Sequence, residues 1–209
     1  MTSQIFIEGQ VGLLEIFEDR PEQIKAIAVV THPHPLMGGN PHHKVPQLIT
    51  DILLEKGCLV WRPSFRGSGQ SAGVHDNGAG ESLDITLICE EMQKRYPNLP
   101  FYGGGFSFGS HVWVRSFDML PEHKRPLKLV LAGLPTGLVR SAVQYQTPVI
   151  DSDILLVHGE QDDITLLSDV IEWAKPQRHP ITIMPGANHF FTGYLKPLRL
   201  ILERYLHIN

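Results

Sequence analysis

An α/β fold, built on a mostly parallel sheet of about eight strands with helices on both faces, is predicted by three features of this 209-residue sequence. Apolar runs too continuous for a half-exposed strand recur along the chain, beginning with Ile24 to Thr31. Apolar residues at helical spacing lie between many of them, and strands that alternate with helices read as parallel. Loops rich in Gly and Pro follow several strands at their carboxyl ends, where such sheets carry their chemistry. With 42% apolar residues, a chain of this length suits one core, so a single domain over residues 1–209 is expected.

Ile5-Phe6-Ile7 and Val11 to Ile16, separated by Glu8-Gly9-Gln10, predict an opening hairpin. The Ile24 to Thr31 strand runs into His32-Pro33-His34-Pro35-Leu36-Met37-Gly38-Gly39, where the prolines end pairing and the glycines free the backbone. Val45, Leu48, Ile49, Ile52 and Leu53 then make one helical face, with Pro46 in the first turn and Gly57 as the stop. Cys58 to Trp61 is the next strand, followed by a turn-rich loop from Arg62 to Ser71 that Arg66 is expected to brace. Ile85, Ile88, Cys89, Met92 and Tyr96 predict a second helix, closed by Pro97. Later strands are expected at Leu127 to Ala132, Ile154 to His158 and Ile181 to Met184, and later helices at Leu166 to Trp173 and Leu198 to Tyr205.

The stretch Pro100 to His111 organises the rest. A short apolar run enters Gly105-Phe106-Ser107-Phe108-Gly109, and Val112, Trp113, Ser116, Phe117 and Leu120 follow at helical spacing until Pro121. A serine held in a strained strand-to-helix turn forces the positions two before and two after it to be small, and both are glycine. The hydroxyl is then expected above the sheet, facing solvent. Phosphate-binding readings fail. A dinucleotide fingerprint starting at Gly103 needs glycine where Phe108 stands, and the Gly-Lys-Ser/Thr ending of a P-loop is absent.

The formal charge of −4 provides no footprint for nucleic acid, and no cluster of Lys and Arg interleaves with aromatics. The start at Met1-Thr2-Ser3-Gln4 lacks the pattern of a signal peptide, and no apolar run reaches membrane-spanning length. A soluble cytoplasmic protein is expected, with no membrane partner. Cys58 and Cys89 read as buried thiols. The oligomeric state is not written in the sequence.

A serine hydroxyl is a weak nucleophile until a base takes its proton and a third group orients the base. Val157-His158-Gly159-Glu160-Gln161-Asp162-Asp163 puts acids past one strand, and Pro185-Gly186-Ala187-Asn188-His189 puts a histidine past the last. Ser107, then Asp162 or Asp163, then His189 is the order of one serine-hydrolase class and differs from those of chymotrypsin and subtilisin.

Together, His32 to Gly39, Phe65-Arg66-Gly67-Ser68-Gly69-Gln70-Ser71, Gly105 to Gly109, His158 to Asp163 and Gly186 to His189 resemble the small, lidless bacterial α/β-hydrolases of the dienelactone-hydrolase and esterase branches. The resemblance spans almost the whole chain and implies the α/β-hydrolase fold without a cap domain. It selects Asp162 over Asp163, because Gly159-Glu160-Gln161-Asp162 matches the family's Gly-x-x-Asp element. Many relatives carry a proline shortly after this acid, where the present chain has Thr165-Leu166.

The function so implied is a serine hydrolase that cleaves a small carboxylic ester or thioester through an acyl-enzyme. Amide cleavage is an alternative within enzymes, and a non-catalytic binding scaffold is one outside them. The catalytic residues are then Ser107, Asp162 and His189. The oxyanion hole takes one N–H from Phe108, at a helix N-terminus. Relatives often carry His-Gly in the loop that supplies the other. Here Pro33 and Pro35 cannot donate, leaving His34, Leu36 and Met37, of which Leu36 is favoured because the prolines fix the backbone ahead of it. Four histidines, at 32, 34, 42 and 43, suggest zinc, but no acid or thiol lies nearby in sequence, so no metal and no cofactor are expected. His32 is instead expected to orient the loop, with His42 and His43 near the following helix's start. Met37, Phe108, Leu134, Phe190 and Phe191 hint at an apolar substrate group, though half or more suit ordinary core. The short connection from Ala132 to Ile154 leaves room for a loop and two helical turns around Leu138 to Val143, too little for a cap. An open site favouring short acyl chains is expected.

Overall fold

The computed structural model of the chain describes residues 2–139 and 143–207. β1 (Thr2–Gly9) and β2 (Gly12–Asp19) form the expected hairpin, with β3 (Ala26–Thr31) and β4 (Cys58–Pro63) beyond it. β5 (Phe101–Phe106), β6 (Lys128–Ala132), β9 (Ile154–Gly159) and β10 (Ile181–Met184) complete an eight-stranded sheet in the order β1-β2-β4-β3-β5-β6-β9-β10. β1 and β2 run antiparallel at one edge, and every pairing from β4 to β10 is parallel.

Helices cover both faces because the central strands are apolar on both sides. Ala26, Ala28 and Val30 of β3 pack with α1 (Lys44–Glu55) and α5 (Leu195–Tyr205) through Val45, Ile49, Leu198 and Leu202. Ile27 and Val29 face the opposite layer, where α2 (Ala79–Arg95) and α3 (Phe108–Met119) supply Ile85, Ile88, Val112 and Trp113. α4 (Leu167–Ala174) adds Ala174 to that second layer. Within β5, a Cβ on Gly103 would sit 3.1 Å from the Trp113 ring and one on Gly104 2.9 Å from Ile49, so bare backbone admits large side chains on both faces.

α2 begins six residues before the first apolar residue expected to mark it. Its first two turns bury polar groups. The Glu81 carboxylate is fully buried and accepts the N–H groups of Asp76 (2.8 Å) and Gly78 (2.9 Å). Arg66 braces the loop after β4 through two 2.7 Å hydrogen bonds to Asp84. Cys58 and Cys89 are buried and unpaired, and burial pushes the Cys58 thiol up to about 12.

The connection between β6 and β9 differs from expectation. β7 (Gly137–Val139) and β8 (Val143–Tyr145) pair antiparallel as a small ribbon, in place of helical turns around Leu138 to Val143, of which residues 140–142 lie outside the described residues. β-branched Val139 and Val143 stand opposite one another, a pairing that favours the pleat over a helix. The described part of this connection carries no cap domain, and no helix among the described residues is long and apolar enough to cross a membrane.

Strand order sets where the loops meet. β3 lies between β4 and β5, so the chain leaves β3 toward one side, crosses back past it to reach β5, and opens a crevice at the two carboxyl ends. Thr31 pairs with Gly105 there, bringing the His32 to Gly39 loop beside Ser107.

Candidate active site

Ser107 joins β5 to α3 with φ 54° and ψ −124°, a conformation that costs a non-glycine residue on the order of 1–3 kcal/mol and persists only when the surroundings enforce it. The surroundings do. The Ser107 N–H is held by the Ala132 carbonyl at 2.8 Å, and Thr31 Oγ1 donates to the Gly109 carbonyl at 2.9 Å. A Cβ on Gly105 would lie 2.7 Å from Ser110 N and 2.8 Å from the Gly109 carbonyl, and one on Gly109 2.7 Å from the Thr31 and His32 carbonyl oxygens. The glycines are therefore required by close approach of α3 to β5 and β3. Ser107 is only 9% exposed, on a pocket wall and not out in solvent as expected.

His189 follows β10, and its Nε2 lies 2.9 Å from Ser107 Oγ. Its Nδ1 lies 2.7 Å from Asp162 Oδ2. A carboxylate only accepts, so Nδ1 carries the proton and Nε2 is left to accept the Ser107 hydroxyl hydrogen. Asp162 is fixed in turn. Its Oδ1 accepts the N–H groups of Ile164 (3.0 Å) and Thr165 (2.8 Å), and its Oδ2 accepts the Thr165 hydroxyl at 2.9 Å. Burial alone would raise this carboxyl, but the bonds from His189 and Thr165 outweigh it and hold Asp162 below its ordinary value. Asp163 is exposed and is not part of this line.

The loop after β3 is anchored by His32. Its Nδ1–H donates to the Pro33 carbonyl at 2.7 Å, and its Nε2 accepts the Phe65 N–H at 3.2 Å, tying this loop to the one after β4. Complete burial pushes His32 down to about 3, so the ring is neutral. Pro35-Leu36-Met37 closes into a 3-10 turn, with the Met37 and Gly39 N–H groups both given to the His34 carbonyl at 3.0 Å. This turn leaves the Leu36 side chain 71% exposed and outside the pocket that Pro33, His34, Met37, His43, Ser107 and His189 share. Phe108, at the first position of α3, packs its ring against His34, tilted at 48° with the centroids 4.9 Å apart.

No family model matches the chain. An uncharacterised protein of Rickettsia prowazekii is 31% identical over 97% of this chain and 88% of its own length. An α/β serine hydrolase homologue from Coxiella burnetii, solved as a structure, is 31% identical with a TM-score of 0.85 over 99% of both chains. This chain belongs to the α/β serine hydrolase family. A family member without a lid, from Xanthomonas campestris, is 29% identical with a TM-score of 0.86 and covers 98% of this chain and 93% of its own.

The α/β serine hydrolase fold thus brings the Ser107, Asp162 and His189 side chains together, with Phe108 next in the chain to Ser107, and leaves the Leu36 and Asp163 side chains outside the pocket. Of the aromatic and apolar residues expected near the site, Met37 and Phe190 line the pocket, while Phe108, Leu134 and Phe191 are buried in the core. His43 occupies the position before α1 without a side-chain capping bond, and His42 is exposed beside it. Among the described residues, no group of three or more His, Cys, Asp or Glu is disposed to hold a metal ion.

Two supports escaped the sequence reading. The Thr165 hydroxyl donates to Asp162 Oδ2 at 2.9 Å. His158 Nε2–H donates to the Thr165 carbonyl at 2.7 Å and lies 3.4 Å from Asp162 Oδ2. The only signal for His158 was its place directly before the Gly-x-x-Asp element. Size alone would misplace the site: grooves of about 610 and 570 Å³ beside α2 are larger than the pocket of about 210 Å³ at Ser107, but they are bordered by charged surface residues and by no Ser, Thr or Cys.

Proposed function

We propose that this family member is a serine hydrolase that cleaves a small carboxylic ester or thioester through an acyl-enzyme. The observation that carries the reading is the unbroken line from Ser107 Oγ to His189 Nε2 (2.9 Å) and from His189 Nδ1 to Asp162 Oδ2 (2.7 Å). In the first half-reaction, Ser107 Oγ bonds to the carbonyl carbon as its proton passes to His189 Nε2. The carbonyl π electrons move onto oxygen, and the Phe108 N–H stabilises that charge at the α3 N-terminus. We assign the second donor to the His34 N–H instead of Leu36, because His34 lines the pocket beside Ser107 and the Met37 N–H is already committed. The tetrahedral adduct collapses, the bond to the leaving oxygen or sulfur breaks, and His189 returns its proton there. Water then repeats the sequence on the acyl-enzyme, giving the acid and free Ser107. Asp162 keeps its charge throughout, holding the tautomer and stabilising the imidazolium.

A hydrolysis screen over acyl esters, acyl thioesters and aminoacyl amides, with Ser107→Ala as the blank, tests the reading. Ester or thioester turnover that the substitution removes is expected. Turnover that persists in the blank, or that is confined to amides, would refute it.

A further inference from the structure

We propose that Ser107 stands between two chambers with separate tasks: a small apolar chamber, walled by the β7–β8 ribbon, takes the acyl group, and a larger chamber lined by imidazoles takes the leaving group. The inference rests on the acyl-transfer reading above and adds which part of the substrate goes where. Ser107, His34, Met37 and Ile164 border both spaces. Beyond them the linings separate. Pro135, Val139, Val143, Tyr145 and Thr165 enclose about 50 Å³ on one side. Pro33, Gly38, Gly39, His43, His189 and Phe190 border about 210 Å³ on the other.

His189 decides the assignment. The atom that leaves must collect its proton from Nε2, so the leaving group lies in the chamber that His189 borders. The acyl chain, on the other side of the reacting carbon, is directed to the chamber that His189 does not border. At roughly 10–15 Å³ for each water-sized group, the smaller space of about 50 Å³ holds three to five such groups, an acyl chain of about three to five carbons. Its depth is fixed. The Tyr145 ring stands edge-on to His111 of α3 at 4.8 Å, and Thr147 Oγ1 takes the His111 Nδ1–H at 3.1 Å while donating to the Pro135 carbonyl at 2.9 Å. The ribbon is thereby tied to the helix that carries Ser107.

Two ester series separate the chambers: p-nitrophenyl esters of lengthening acyl chains, and acetate esters of enlarging alcohols, each measured as kcat/KM. The first series is expected to gain about fourfold per added methylene up to about four carbons and then to fall at least tenfold. The second is expected to vary less than about threefold. Val143→Ala should move the acyl optimum up by one or two carbons and leave the order of preference within the alcohol series as it was. Phe190→Ala should change the alcohol series and leave the acyl optimum in place. The reverse pattern, with Phe190→Ala moving the acyl optimum, would overturn the assignment of the chambers, as would an acyl optimum indifferent to both substitutions. Ser107→Ala serves as the blank throughout. Turnover that survives in it would overturn the acyl-transfer reading itself, an outcome distinct from a swap of the two profiles.

Discussion

Lowering the pH from 8 to 5 is expected to remove about 4 kcal/mol of folding stability through two buried histidines. His32 is pushed from the ordinary 6.5 down to about 3 by burial, and His111, also by burial, from 6.5 down to about 4. Below 6.5 the unfolded chain takes a proton on each ring while the folded protein takes none. The stability they contribute is therefore complete above 6.5 and is lost as the pH falls toward 4 and 3. Each pH unit in that window is worth about 1.4 kcal/mol per group, so at pH 5 each ring has cost about 2 kcal/mol. His158, His34 and His43 are lowered as well, first by burial, and act with the same sign. Asp162 is held low and works in another window, losing its contribution only as the pH falls below its ordinary 3.8. A loss of about 4 kcal/mol is a large share of the 5–15 kcal/mol typical of a domain. The assay is urea unfolding followed by circular dichroism at pH 8, 6.5 and 5, in the wild type and in His32→Gln. Glutamine offers one donor and one acceptor but no titrating ring. The variant should be less stable at pH 8, and its loss between pH 8 and 5 should be about 2 kcal/mol smaller than that of the wild type. Equal losses in the two proteins would refute the account of His32 as a neutral, buried tie between loops.

Asp162→Asn should lower kcat by about four orders of magnitude by freeing the wrong His189 tautomer, while Asp163→Asn should stay within a few-fold; steady-state kinetics on one ester compares them. Thr165→Ala removes the hydroxyl bond to Asp162 and should lower kcat on an acetate ester about tenfold, with Thr165→Ser restoring the rate. Gly105→Ala forces a Cβ to 2.7 Å from Ser110 N; it should cost about 1–3 kcal/mol in a urea melt and reduce kcat more than Asp163→Asn does.

The fold was legible because both faces of the central strands are buried, which leaves uninterrupted apolar runs such as Ala26–Thr31 flanked by helical faces. The candidate site was legible where chemistry lies on a side chain at a strand end, as with Ser107, Asp162 and His189. Backbone chemistry was harder to read. Leu36 was favoured because the prolines fix the backbone ahead of it, but sequence does not show the 3-10 turn, closed by three local N–H bonds, that commits the Met37 N–H and turns the Leu36 side chain to solvent. Thr165 acts through hydrogen bonds to Asp162, and His158 through one to the Thr165 carbonyl, contacts that carry no periodicity. The ribbon at β7 and β8 was misread as helical because runs of three residues favour neither period. The start of α2 was missed because Glu81, Ser82 and Asp84 bury polar groups that a search for an apolar stripe passes over.

The most direct test of the central claim is intact-mass spectrometry of the protein, quenched in acid within the first turnover of a short-chain p-nitrophenyl ester, followed by peptide mapping. The account predicts a mass gain of one acyl group on the peptide holding Ser107, appearing with a burst of nitrophenol and absent from Ser107→Ala. Steady turnover with no acylated species, or an acyl group mapped to any other residue, would contradict it.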